Sequence, residues 1–122
     1  MLFSQTELPT RDQIDDKYKW NLQDFYDSPS DFHKDYAKLE TEIAKFAQYK
    51  GKISKSAQDL YKYLLFNDEV GKGISRAYLY ASLGKDADLN DSEFQVMNEK
   101  MVRLYSSYSE ATAFFTPELL QL

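Results

Sequence analysis

The sequence predicts an all-α domain: an up-and-down antiparallel bundle of three long helices with the start of a fourth, preceded by an extended N-terminal arm. Three observations carry this. Apolar residues recur three and four apart through three separate windows, the spacing that gathers them on one helical face. Ser, Asn or Asp stands at the head of each window, and Gly lies at the tail of the first two, as helix caps do. The connections between windows are short, which favours antiparallel neighbours.

The arm covers residues 1–27 and the bundle domain residues 28–122. Met1 to Asp27 has no sustained period and contains Pro9, Asp15 and Asp16. Its end is aromatic. Trp20, the only Trp, is read with Leu22 and Phe25 as the anchor that packs the arm onto the bundle.

The first helix starts near Ser28, with Pro29 at the first helical position, where its missing N–H would be unpaired anyway. Phe32, Tyr36, Leu39, Ile43 and Phe46 form its stripe, and Gly51 is its stop, because glycine accepts the left-handed conformation that ends helices. The second helix starts at Ser56, with Asp59 three residues on as a capping-box-like pair. Its stripe reads Leu60, Leu64, Ile74, Tyr78 and Ala81, interrupted by Asn67 and Gly71, and Gly84 marks its end. Gly71 and Gly73 inside a helix each cost about 1 kcal/mol relative to Ala. A close crossing at Gly71 or a local bend accounts for them; the alternative is a helix broken in two. Lys85 to Asp91 reads as a polar loop.

The third helix begins at Asn90 or Asp91, with Glu93 near enough to complete a capping box. Phe94, Met97, Met101, Leu104, Tyr108, Ala111 and Phe115 make the cleanest stripe in the chain. Thr116, Pro117 and Glu118 read as the cap and first turn of a fourth helix, with Leu122 about one turn into it. One turn alone is unstable in water. Phe114, Phe115 and Leu119 are therefore expected to offer a surface for self-association.

Composition narrows the function classes. The net charge of -5 argues against nucleic acid or an anionic membrane as partner, because both need clustered Lys and Arg. Lys50, Lys52 and Lys55 form a local basic stretch, read as a solvated loop beside a helix C-terminus. With no Cys there is no thiol chemistry, no thiolate metal site and no need for an oxidising compartment. No run approaches the roughly 18 apolar residues of a membrane span, and the N-terminus has no apolar signal region, so a cytoplasmic protein is the simplest reading.

The search for chemistry is mostly negative. A zinc peptidase helix needs H-E-x-x-H, two His on one face with a Glu to activate water. This chain has one His, His33, read as a surface residue. Asp86, Asp88 and Asn90 match the first three ligand positions of a calcium loop, but Asp91 replaces its glycine and Met97 its closing Glu. They are read as turn and cap residues. Gly71, Gly73 and Arg76 lack the third glycine of a phosphate loop. No Ser has a recognisable base. Tyr61 with Tyr63, Tyr78 with Tyr80, and Tyr105 with Tyr108 are read as core and boundary packing, the alternative being the lining of a peptide groove. No catalytic or metal residue is assigned.

A series of phrases carries a resemblance. They run Leu8-Pro9, Tyr18-Lys19-Trp20-Asn21-Leu22, Tyr49-Lys50-Gly51-Lys52, Tyr78-Leu79-Tyr80-Ala81-Ser82-Leu83, Asn90-Asp91, Phe114-Phe115 and Pro117-Glu118-Leu119. In this order they resemble the start of oligoendopeptidase F, a relative of the thimet-type oligopeptidases, from Leu8 to Leu120. The resemblance implies a much longer, cytoplasmic, mostly helical zinc metallopeptidase that cleaves short peptides. Its zinc helix would lie far downstream, and an N-terminal helical lobe would wall part of the substrate channel. Zinc then belongs to the parent enzyme and not to this chain, and no family ligand has a matching position here. The partners implied are the chain's own downstream catalytic domain and, through it, short peptides. The rival reading is a free-standing helical interaction module whose partner covers an apolar face.

Overall fold

Ser28 opens the first helix with extended backbone, and its hydroxyl accepts from the Asp31 N–H while Pro29 takes the first turn. The resulting α1 runs Pro29–Ala44. It tightens into a 3₁₀ segment at Lys45–Tyr49 that still buries Phe46. Gly51 then turns the chain at φ 82°. The Ser56 hydroxyl accepts from the Asp59 N–H at 3.0 Å and donates to the Asp59 carboxylate at 2.9 Å, starting α2 (Ala57–Ala87). Asp91 accepts from the Glu93 N–H at 2.9 Å and starts α3 (Ser92–Thr112), which is followed by a short α4 (Phe115–Leu119). A 3₁₀ turn at Leu22–Asp24 precedes them all. This computed structural model describes residues 21–87 and 91–122, and for residues 86–87 the backbone alone. Among the described residues the fold is all-helical, with no strand. Trp20 and the arm before it lie outside the described residues, as do Asp88, Asn90 and the Asp86 side chain.

The core is one cluster with an aromatic group at each end. Phe32, fully buried, meets Tyr26 edge-on at 5.9 Å and Tyr80 stacked at 5.8 Å, and Phe94 approaches Tyr80 at 5.4 Å. At the other end Phe46, also fully buried, meets Phe66 at 4.8 Å, Tyr63 at 5.8 Å and Tyr108 at 5.7 Å. Leu39, Ile43, Val70, Ile74, Met101 and Leu104 fill the space between. The described end of the arm joins the first group. Leu22 and Tyr26 are buried, Phe25 is half-buried, and the Tyr26 hydroxyl donates to Asp35.

Several expectations are corrected. The second helix neither breaks at Gly71 nor ends at Gly84; it is continuous to Ala87, so the loop expected from Lys85 is shorter by three residues. Gly84 has helical backbone, and among the described residues only Gly51 has a positive φ. The close crossings fall at Gly73 and Gly84 and not at Gly71. A Cβ on Gly73 would stand 2.7 Å from Leu39 of α1, and one on Gly84 would stand 2.1 Å from the Phe94 ring of α3. These two contacts fix which arc of α2 is buried: Tyr63, Val70, Ile74, Ala77, Tyr80 and Ala81. Leu64 and Tyr78, expected in the stripe, are 45% and 43% exposed. Thr116 does not cap α4. Ala113 keeps helical backbone between α3 and α4, leaving no break to cap, and α4 begins at Phe115, two residues before Pro117. Pro117 is accommodated because first-turn N–H groups have no intrahelical partner.

Gly84→Ala is expected to lower stability by about 1–2 kcal/mol. Crowding a packed ring costs typically 1–3 kcal/mol, which outweighs the helix propensity gained. Urea unfolding checks it, and an unchanged or raised midpoint would mean that the Phe94 ring yields freely.

Candidate functional site

An open feature lies on α2, on the side turned away from its buried arc. Asn67, Asp68, Gly71, Lys72, Ser75, Arg76 and Leu79 line a trench of about 590 Å³, together with Phe25 and Tyr108. Gly71 leaves its middle flat. Tyr108 is held there by donating its hydroxyl to Asn67. Lys72 and Asp68 pair at 3.0 Å, one turn apart on the exposed face. Such exposed pairs contribute little stability, but they cancel each other's charge. A second hollow of about 550 Å³ lies where the ends of α1 and α3 meet, floored by Ile43, Ala47 and Ala111 and flanked by Lys50 and Glu110.

His33 is half-buried, not the free surface residue expected. Its Nδ1 accepts from Lys100 Nζ at 3.1 Å, and that ammonium sits 4.4 Å from the centre of the Tyr36 ring. The Tyr36 hydroxyl donates to the Lys100 carbonyl at 3.0 Å. Zinc does not fit here. The ring nitrogen faces a cation, and among the described residues no three His, Cys, Asp or Glu side chains are grouped to hold a metal. Among the described residues, no helix is long and apolar enough to cross a membrane.

Each of the three tyrosine pairs splits across its helix. Tyr63 and Tyr80 are buried and Tyr108 is half-buried, while Tyr61, Tyr78 and Tyr105 are exposed. Tyr78 and Tyr105 meet edge-to-face at 5.8 Å on the outer side of α2 and α3. Of the residues expected to mediate association, Phe114 and Phe115 are half-buried against Tyr63, at 5.8 and 4.6 Å, and Leu119 is half-buried too. Only their outer edges face solvent. Periodicity could not reveal the trench, because Gly71 reads there only as a gap in an apolar stripe. The His33–Lys100 contact joins residues far apart in sequence and has no local signal.

Burial pushes the Tyr63 hydroxyl up to about 12 from the ordinary 10.0. It also raises Tyr26, where the hydrogen bond to Asp35 adds to it, and Tyr36. Tyr108 is raised by burial against the opposing effect of its bond to Asn67. A raised phenol keeps its proton in the fold after the unfolded chain has lost it. Stability is therefore intact below pH 10 and falls as pH rises from 10 towards 12. Urea midpoints at rising pH should drop in that window together with the late appearance of tyrosinate absorbance. A flat midpoint to pH 12 would contradict the burial of these hydroxyls.

Comparison with known proteins finds three bacterial peptidases among the relatives. The chain is 33% identical over 116 residues to the oligopeptidase PepF of Bacillus subtilis, covering 95% of this chain and 17% of that protein. It is 28% identical to the group B oligopeptidase PepB of Streptococcus agalactiae, covering 92% of this chain and 19% of that protein. It is 24% identical to the plasmid oligoendopeptidase F of Lactococcus lactis subsp. cremoris, with the same coverage of 92% and 19%. The chain thus spans under a fifth of the length of these relatives. No family model and no solved structure matches it.

Proposed function

Because this chain is related over nearly its whole length to oligoendopeptidase F, we propose that it is the N-terminal helical domain of a zinc-dependent oligoendopeptidase that hydrolyses short peptides. In this reading the domain shapes the substrate channel, is inactive alone, and works in the cytoplasm. The single observation that carries the reading is the breadth of the match: 95% of this chain against 17% of a named oligopeptidase. The composition supports its inactivity. One His in 122 residues cannot supply H-E-x-x-H, so the zinc ligands and the general base would come from the rest of the enzyme.

The same reading takes residues 1–27 as an arm and 28–122 as one up-and-down antiparallel bundle. The order of contacts supports that direction. Phe32 near the start of α1 meets Tyr80 late in α2, whereas Phe46 just past its end meets Tyr63 early in α2. Tyr80 meets Phe94 at the start of α3, and Asn67 meets Tyr108 near its end. A lobe of this kind would act by bulk, admitting flexible short peptides to a channel and excluding folded chains. Association between copies through Phe114, Phe115 and Leu119 is part of the same proposal for the isolated chain.

A second reading, a free-standing interaction module, is favoured by one feature: the exposed tyrosines and leucines on the outer side of α2. The parent reading frame separates the two. A downstream H-E-x-x-H supports the peptidase reading, and a frame that encodes a short protein without it overturns that reading.

A further inference from the structure

Among the described residues, none packs against Gly71. Gly73 and Gly84 admit Leu39 and Phe94, but a Cβ built on Gly71 meets no heavy atom within 4 Å. A mid-helix glycine weakens a helix relative to alanine, and no contact among the described residues offsets the loss. The surface around it is apolar, as is part of the outer side of α3 at Val96, Val102 and Tyr105. Tyr61, Leu64 and Leu65 on one side in sequence, and Tyr78 and Leu79 on the other, are 43–60% exposed. On α1 no large apolar residue is comparably exposed. A helix that is apolar on its core side and again on its outer side is built to be covered on both.

The floor at Gly71 lies in the trench of about 590 Å³, wide enough for side chains of a crossing element. Lacking a Cβ, Gly71 lets a second backbone come close. Asp68 and Lys72 neutralise each other at 3.0 Å and Arg76 stands as a further charge in the lining, while Phe25, Leu79 and Tyr108 give the trench apolar walls that suit an apolar face. The source of that face is indicated by length, because the relatives carry more than four-fifths of their sequence outside the matched region.

We propose that the outer face of α2, centred on Gly71, is the docking surface for an apolar helix from the remainder of the longer polypeptide. The inference rests on reading the chain as one domain of a longer peptidase. The test uses the parent protein, with a photo-crosslinking benzoylphenylalanine placed at Leu79 and, separately, at the exposed Lys34 of α1. Leu79 should crosslink within the same polypeptide to a segment beyond this domain, and Lys34 should not. A crosslink from Leu79 to a second copy, none at all, or equal capture from Lys34 overturns the proposal. As a second readout, Gly71→Leu should lower the thermal midpoint of the parent but not that of the 122-residue chain, where the gain in helix propensity should raise it by about 2–5 °C. An equal fall in both would place Gly71 in the chain's own fold and overturn the proposal. Cleavage of a short peptide, measured on the same parent sample, separates the two readings. Cleavage without the Leu79 crosslink overturns the docking surface alone. The crosslink without cleavage keeps the docking surface and overturns the peptidase reading.

Discussion

Phe46→Ala is expected to lower the stability of this chain by about 3–5 kcal/mol. The ring is fully buried, and it stands where α1, α2 and α3 come together. Its neighbours Tyr63, Phe66 and Tyr108 surround it with ring centres 4.8 to 5.8 Å away. These rings are large and interlocked, so they cannot collapse into the space a deleted phenyl leaves. Loss of apolar burial and the residual cavity then add. Small domains have only about 5–15 kcal/mol of stability in total, so the substitution should unfold a visible fraction of the chain. Urea unfolding measures the effect. A loss below about 1 kcal/mol would mean that this end of the bundle is loosely packed.

Phe32→Ala, at the other end, is expected to cost a similar amount, about 3–5 kcal/mol. Phe32 is fully buried between the arm and α2, with Tyr26 edge-on and Tyr80 stacked. Its removal should loosen the arm as well as the bundle, because Tyr26 loses one wall of its pocket and keeps, among its described side-chain partners, only its edge-on contact with Tyr80 and its bond to Asp35. The ring neighbours of Phe32 and Phe46 do not overlap among the described residues. The two losses should therefore add to within about 0.5 kcal/mol in the double variant. Coupling well above that value would show that the two aromatic groups act as one unit.

Much of this fold is legible in the sequence where one helix face alone is apolar. The stripe Phe32, Tyr36, Leu39, Ile43 and Phe46 is buried throughout. So are Phe94, Met97, Met101 and Leu104, and the caps at Ser28, Ser56 and Asp91 are formed as their side chains suggest. The second helix defeats the same reasoning. It is apolar on two sides, so spacing alone cannot say that Tyr63 and Tyr80 face inward while Leu64 and Tyr78 face out. That choice is made by Leu39 against Gly73 and Phe94 against Gly84, contacts between residues distant in the chain. Gly71 illustrates the same limit from the other side. Its significance lies in the open space a Cβ would meet there among the described residues, which no local pattern records. The kinship was legible because it rests on short phrases in a fixed order, and 33% identity over 116 residues bears it out.

We propose that this chain is a non-catalytic lobe of a zinc oligoendopeptidase. The measurement that tests it most directly is chelator-sensitive cleavage of a short fluorogenic peptide, with the parent protein and the mass-verified 122-residue chain side by side. The expected result is cleavage by the parent, its loss on chelation and recovery with zinc, and no cleavage by the chain alone. Chelator-sensitive cleavage by the isolated chain, or a folded parent that cleaves no peptide with zinc supplied, would contradict it.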